Sequence, residues 1–194
     1  MSVTGEHHKE HYAAINPNRL VPTLVDGDLR LSESAAILRY LAARFELPEY
    51  PRELELRAKV DEAMDWFNTQ MARDFLYDMI YPQVFPHFER PTPAHQQGTI
   101  AWGREKAAFW FEVLDRHMLD KNAFVANDRP SIADYFGGCI VAAGDMIGCT
   151  FEPYPNVRRW MDRVRALESW PRISDAVCRY AEQLQGTKSS FVTL

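Results

Sequence analysis

No stretch of this sequence is apolar for the roughly 20 residues that a bilayer-spanning helix needs. Its opening, "MSVTGEHHKEHYAA", is polar and lacks the apolar core of an export signal. Neither membrane insertion nor secretion is expected, which points to the cytoplasm. Cysteine is scarce as well: Cys139, Cys149 and Cys178 are odd in number, show no Cys-x-x-Cys spacing and fall in sequence that reads mainly as helix. The three read as reduced, partly buried thiols. Long runs of one charge are also missing. The 22 basic and 27 acidic side chains leave a net charge of -5, with no patch that would attract nucleic acid or lipid. Internal repeats and low-complexity tracts are absent.

Metal-ligand patterns are equally thin. His7 and His11 have the i, i+4 spacing of a helical metal pair, with His8 beside them, but no Cys or carboxylate follows at a matching spacing. The segment reads as a solvated lead-in, and no metal is expected.

What is present is an ordinary globular composition, 46% hydrophobic and 25% charged over 194 residues, enough for one large domain or two small ones. Residues 21–25, "VPTLV", and 29–31, "LRL", are short β-type runs joined by "DGD", a strong hairpin signal. Glu33 and Ser34 then precede a helix on which Ala36, Ile37, Tyr40, Leu41 and Ala43 form an apolar stripe widened by Leu38 and Phe45. "ELPEYP", residues 46–51, is the best linker in the chain. The boundary is placed there, giving domains 1–46 and 47–194.

Beyond the linker no convincing strand occurs. Residues 53–81 predict a long helix with Leu56, Val60, Met64, Phe67 and Met71 on one face, broken by Pro82 and Pro86. Residues 94–119 predict a second, with Trp102, Phe109, Trp110, Val113 and Leu114; Phe75, Trp102 and Phe109 read as core together with Met64, Phe67 and Met71. Further helices are expected over 131–147, 156–167 and 171–184. Ser131 and Asp134 have the spacing of an N-terminal capping box, with Asp in the place more often held by Glu. The plan is α+β: a small sheet-bearing half, then an all-helical half.

The stretch "NPNRLVPTLVDGDLRLSESAAILRYLAARF" resembles the second half of the thioredoxin-like domain of cytosolic glutathione transferases, and the helical remainder resembles their C-terminal bundle. "ESAAILRYLA" and "RDFLYDMIYPQVFPHF" are most similar to theta-like bacterial members. The capping box resembles the one that opens the family's core helix. In that family the proline after valine, here Pro22, is cis, and the residue before it, here Val21, pairs its backbone with the cysteinyl unit of glutathione. By the same resemblance Ser34, at a helix start, binds the γ-glutamyl carboxylate and Glu33 faces the α-ammonium. A basic side chain of the lead-in, or Arg19, would neutralise the glycyl carboxylate. The electrophile pocket falls at Asn68, Arg73, Tyr77 and Tyr81, where Arg73 is either a charge that lowers a thiol pKa or a solvated surface arginine.

The resemblance implies glutathione as co-substrate, a small apolar electrophile as its partner in reaction, and a homodimer built on the "ESAA" helix and the long helices. It also implies a strand-helix-strand before the Val-Pro strand, with a thiol-activating residue just after its first strand. About twenty residues precede Val21, fewer than the roughly 30 that such a unit takes, so a truncated thioredoxin-like domain is expected and the catalytic residue is left unassigned. Two functions remain open: a transferase joining the glutathione thiolate to an electrophile, and a non-catalytic binding or scaffold protein, or truncated product, of the same fold.

Overall fold

The computed structural model describes residues 5–185 and 190–194, and the side chains of residues 176–178, 183 and 185, Cys178 among them, lie outside the described set. The chain divides into two compact units, Met1–Arg52 and Glu53–Leu194.

The first unit opens with a 3-10 turn, Glu6–His8, and a one-turn helix α1, Glu10–Ala13. Strands β1, Thr23–Asp26, and β2, Leu29–Ser32, pair antiparallel with Thr23 opposite Ser32 and Asp26 opposite Leu29. Gly27 begins the two-residue turn at φ 57°, the positive value that a type II′ hairpin asks of its first central residue. Helix α2, Ser34–Arg44, packs over both strands, and the Tyr40 hydroxyl donates to Asp26 Oδ2 at 2.6 Å to tie it to the turn. Its buried residues are Ala35, Ile37 and Ala42, whereas Ala43 and Phe45 are exposed. The wide stripe expected from periodicity is therefore narrower, because a two-stranded hairpin covers little of a helix face. Strand β1 starts at Thr23 instead of Val21, since Pro22 has no N–H to contribute to a ladder.

The second unit is helical. Helix α3, Leu54–Trp66, starts on the Glu53 carboxylate, which accepts the N–H groups of Glu55 and Leu56 at 3.0 and 2.7 Å. It runs on through a π-type stretch, Phe67–Ile80, into α4, Tyr81–Val84. Phe67, Met71, Phe75 and Met79, four residues apart, all face inward, because the wider turn of a π helix keeps that spacing on one side. Pro82 does not break the rod. It sits just after the last i−5 bond, from the Tyr81 N–H to Leu76, so its missing donor falls where the π pattern is already ending.

Helix α5, Pro93–Val113, is capped by Thr92 and followed by a π turn, Leu114–Met118. Helix α6, Ile132–Ala142, continues as a 3-10 turn to Ile147 and stops at Gly148, φ 75°. Helices α7, Pro155–Arg165, and α8, Trp170–Gln185, complete the bundle. The core is aromatic: Phe67 stacks on Trp160 at 6.0 Å and Phe75 meets Phe111 edge-on at 4.9 Å.

Two carboxylates lock this bundle. Asp134 accepts the Ser131 N–H and hydroxyl, both at 2.8 Å, the Val125 N–H at 2.9 Å and the Trp160 indole N–H at 2.8 Å. Asp115 Oδ1 accepts the N–H groups of Asn156 and Val157 at 2.7 and 3.0 Å and so caps α7 from the end of the α5 rod.

Two expected core residues, and one residue of the expected apolar face of the first long helix, are on the outside. Leu56 is exposed, and Trp102 and Phe109 are each 55% exposed. The inner line of α5 is Gly103, Ala107, Phe111 and Leu114, all buried. A Cβ on Gly103 would lie 2.8 Å from backbone atoms of Asp74, Asp78 and Met79. That close crossing fixes the rotation of α5 and turns Trp102 and Phe109 away. Cys149 is buried and Cys139 exposed, both as free thiols.

Candidate functional site

In the first unit the candidate residues come from three consecutive local structures: the loop into β1, the loop out of β2, and the start of α2. The Val21–Pro22 peptide is cis. Val21 is 46% exposed and precedes the first paired residue, Thr23, so its N–H and C=O lie outside the hairpin ladder. Glu33 is exposed and adopts φ 71°, ψ 115°, a conformation that costs a non-glycine residue about 1–3 kcal/mol. Its side chain makes no cap bond to α2. Ser34 is the first residue of that helix, and the first bond across the turn runs from the Ile37 N–H to the Glu33 carbonyl. The N–H groups of Ser34, Ala35 and Ala36 therefore point out of the helix end, with the positive end of the helix dipole behind them.

Arg19, at φ 54°, is already engaged: its guanidinium donates to Glu10 Oε1 at 2.8 Å and to the His8 carbonyl. His11 Nε2 sits 2.9 Å from Glu6, and the rings of His7 and His8 lie 3.9 Å apart. His7 Nδ1 is buried without a hydrogen-bond partner. No cluster of three or more His, Cys, Asp or Glu side chains suited to a metal occurs among the described residues.

In the second unit Tyr77 and Tyr81 come together. Their rings are 5.1 Å apart, and Phe88 lies 5.8 and 5.0 Å from them, with Phe85 5.2 Å from Tyr81. This makes an aromatic wall at the end of the π stretch. Burial, with Tyr77 alongside, pushes the Tyr81 phenol up to about 12, so it stays protonated and a hydrogen-bond donor. Asn68 is exposed, further along the rod.

Arg73 is exposed, as the surface reading expected, but it is paired. It forms a two-pronged pair with the buried Asp74, Nε to Oδ1 at 2.8 Å and Nη2 to Oδ2 at 3.0 Å, while the Trp110 indole N–H donates to Oδ2 at 2.6 Å. Burial raises the Asp74 pKa, but the bonds from Arg73 and Trp110 outweigh it and hold the carboxyl below its ordinary value. The Arg73 charge is thus largely neutralised.

Comparison with known proteins decides the family. Residues 1–49 match the model of the glutathione S-transferase N-terminal domain and residues 76–168 that of the C-terminal domain. Human glutathione S-transferase theta-1 is 33% identical over 174 residues, covering 84% of this chain and 69% of that protein. The chain belongs to the glutathione S-transferase family. Glutathione S-transferase 2 of Anopheles gambiae is 32% identical over 161 residues, 81% of this chain and 72% of that protein. A solved theta-class glutathione S-transferase from Xanthomonas axonopodis pv. citri, with glutathione bound, superposes with a TM-score of 0.74 at 30% identity, covering 89% of this chain and 80% of that one. This transferase-family chain matches the models of both family domains, the first over a unit whose described sheet has two strands and the second over the helical unit, and no helix among its described residues is long and apolar enough to cross a membrane.

Sequence reasoning missed Asn16 and Tyr12. Asn16 is only 3% exposed and its Nδ2 donates to the Leu20 carbonyl at 2.9 Å and to Thr23 Oγ1 at 3.0 Å. The Tyr12 hydroxyl donates to the same carbonyl at 2.7 Å and lies 2.8 Å from Thr23 Oγ1. An Asn before a Pro reads as a turn residue, and nothing local distinguishes it from a buried one.

Proposed function

We propose that this chain binds glutathione on its first unit and joins the thiolate to a small apolar electrophile. The γ-glutamyl carboxylate sits on Ser34 and the free N–H groups of α2, and Glu33 faces the α-ammonium. The cysteinyl backbone pairs with Val21, held out by Pro22. The glycyl carboxylate lies toward Arg19, which would give up its surface pair with Glu10 to meet it. The electrophile rests on the aromatic wall of Tyr77 and Tyr81, with Asn68 and Arg73 further along the same rod. In the reaction the S–C bond forms as the bond to the leaving group breaks; the leaving group keeps that electron pair, and the thiol proton goes to solvent.

The observation that carries this reading is Glu33, an exposed carboxylate held at positive φ directly before an uncapped helix start. Residues in such conformations cluster at ligand sites, and an anion at the helix end beside an ammonium at Glu33 matches the two charges of a free amino acid end. A homodimer in the cytoplasm is proposed on the same footing, with the exposed Trp102 and Phe109 as apolar surface available to a partner.

A second reading, binding without catalysis, is favoured by one observation: the Tyr12 hydroxyl in this unit is taken up by Leu20 and Thr23 and is not presented to a thiol. The two are separated by following glutathione consumption with an activated alkyl or aryl halide, for wild type and Ser34→Ala. Acceleration above the protein-free rate, with a higher KM for glutathione in the variant, supports the transferase. Bound glutathione with no acceleration supports the binding protein.

A further inference from the structure

The bonds around Leu20 form a closed set. The Asn16 amide has two N–H donors, one given to the Leu20 carbonyl and one to Thr23 Oγ1, and its Oδ1 accepts the Asn18 N–H at 3.0 Å. Tyr12 has one proton, and at 2.7 Å it goes to Leu20. Thr23, already accepting from Asn16, has its own proton for the Tyr12 oxygen at 2.8 Å or for the Leu20 carbonyl at 3.4 Å. Each donor is used once, and Leu20 O is held from two sides.

That carbonyl shares a planar, trans peptide group with the Val21 N–H, because the cis bond in this loop is the next one, Val21–Pro22. In a trans peptide C=O and N–H point in opposite directions. Fixing Leu20 O inward therefore fixes the Val21 N–H outward, and Thr23 fixes the chain on the far side of Pro22. We infer that Asn16 and Tyr12 are positioning residues for glutathione: they set the direction of the Val21 N–H that receives the cysteinyl carbonyl. This inference rests on the proposed glutathione site. Neither side chain touches the ligand; both act through one peptide plane.

Asn16→Asp keeps the size of the side chain and the acceptor for Asn18, but places an acceptor where two donors stood. Tyr12→Phe removes a single hydroxyl from a half-buried ring and serves if the Asn16→Asp variant does not fold. The test is calorimetric titration of the full chain with glutathione, recording Kd and the binding fraction n, together with a thermal melt. Wild type and Ser34→Ala are run alongside. A freed peptide plane is expected to raise Kd by about three- to tenfold in each variant, the loss of one net hydrogen bond, with n unchanged. The double variant is expected to lose less than the product of the two, since both hold the same carbonyl. A merely structural role would lower the melting temperature and n and leave Kd of the folded fraction as in wild type; that result overturns the inference while Ser34→Ala still weakens binding. A folded wild type that does not bind glutathione removes the site itself, and this inference with it.

Discussion

Asp74 shows how one buried carboxylate organises the surface around Arg73. It is 1% exposed, and its oxygens are taken by the Arg73 guanidinium and the Trp110 indole. Its pKa is depressed in the fold, so it contributes stability that is present above the ordinary carboxylate pKa of about 3.9 and is lost as pH falls through the folded value. Asp74→Asn is expected to cost about 1–2 kcal/mol at pH 7, with the exposed Arg73 keeping the figure modest. In melts across pH the gap between wild type and variant should close below about pH 4. A gap that stays constant into acid would mean that the Asp74 charge contributes nothing. The residues proposed to hold glutathione could be singled out in the sequence because each signal is local: a Val-Pro pair, a Glu-Ser pair at a helix start. Asn16 could not be, because its function lies in hydrogen bonds to Leu20 and Thr23 that only the folded loop brings to it.

At the scale of the element, α5 is the instructive case. Its apolar residues run almost all the way round, so periodicity could not choose a face and placed Trp102 and Phe109 inside. The choice is made by Gly103, where α5 crosses the π stretch too closely for a side chain. Gly103→Ala is expected to lower stability by about 1–3 kcal/mol by forcing backbone apart. Gly98→Ala, earlier on the same helix with nothing within 4 Å of its Cβ, should raise it by about 0.5–1 kcal/mol through helix propensity. Paired denaturant melts check both; equal effects would contradict the close crossing. The π stretch itself was not readable, since a four-residue spacing of Phe67, Met71, Phe75 and Met79 also suits a long α helix. Pro82, expected to end the rod, sits inside it because the bonding pattern changes at that residue.

At the scale of the molecule, the chain separates at Arg52 and Glu53 into a small hairpin unit and a helical bundle. The bundle has its own core and capping carboxylates. The first unit has a sheet of two strands among its described residues, with Leu20, Val21, Val25 and Phe45 exposed. The α+β plan was legible because hairpin turn, prolines and helical periods are punctuated in the sequence, and the family followed from the Val-Pro and Glu-Ser pattern at its spacing. The central claim, that the first unit holds glutathione at Val21, Glu33 and Ser34, is tested most directly by isothermal titration of the 194-residue chain with glutathione beside Ser34→Ala. Binding by wild type that weakens about tenfold or more in the variant, the loss of a charge-assisted hydrogen bond, is the expected result. No binding by folded wild type, or equal binding by the two proteins, would contradict it.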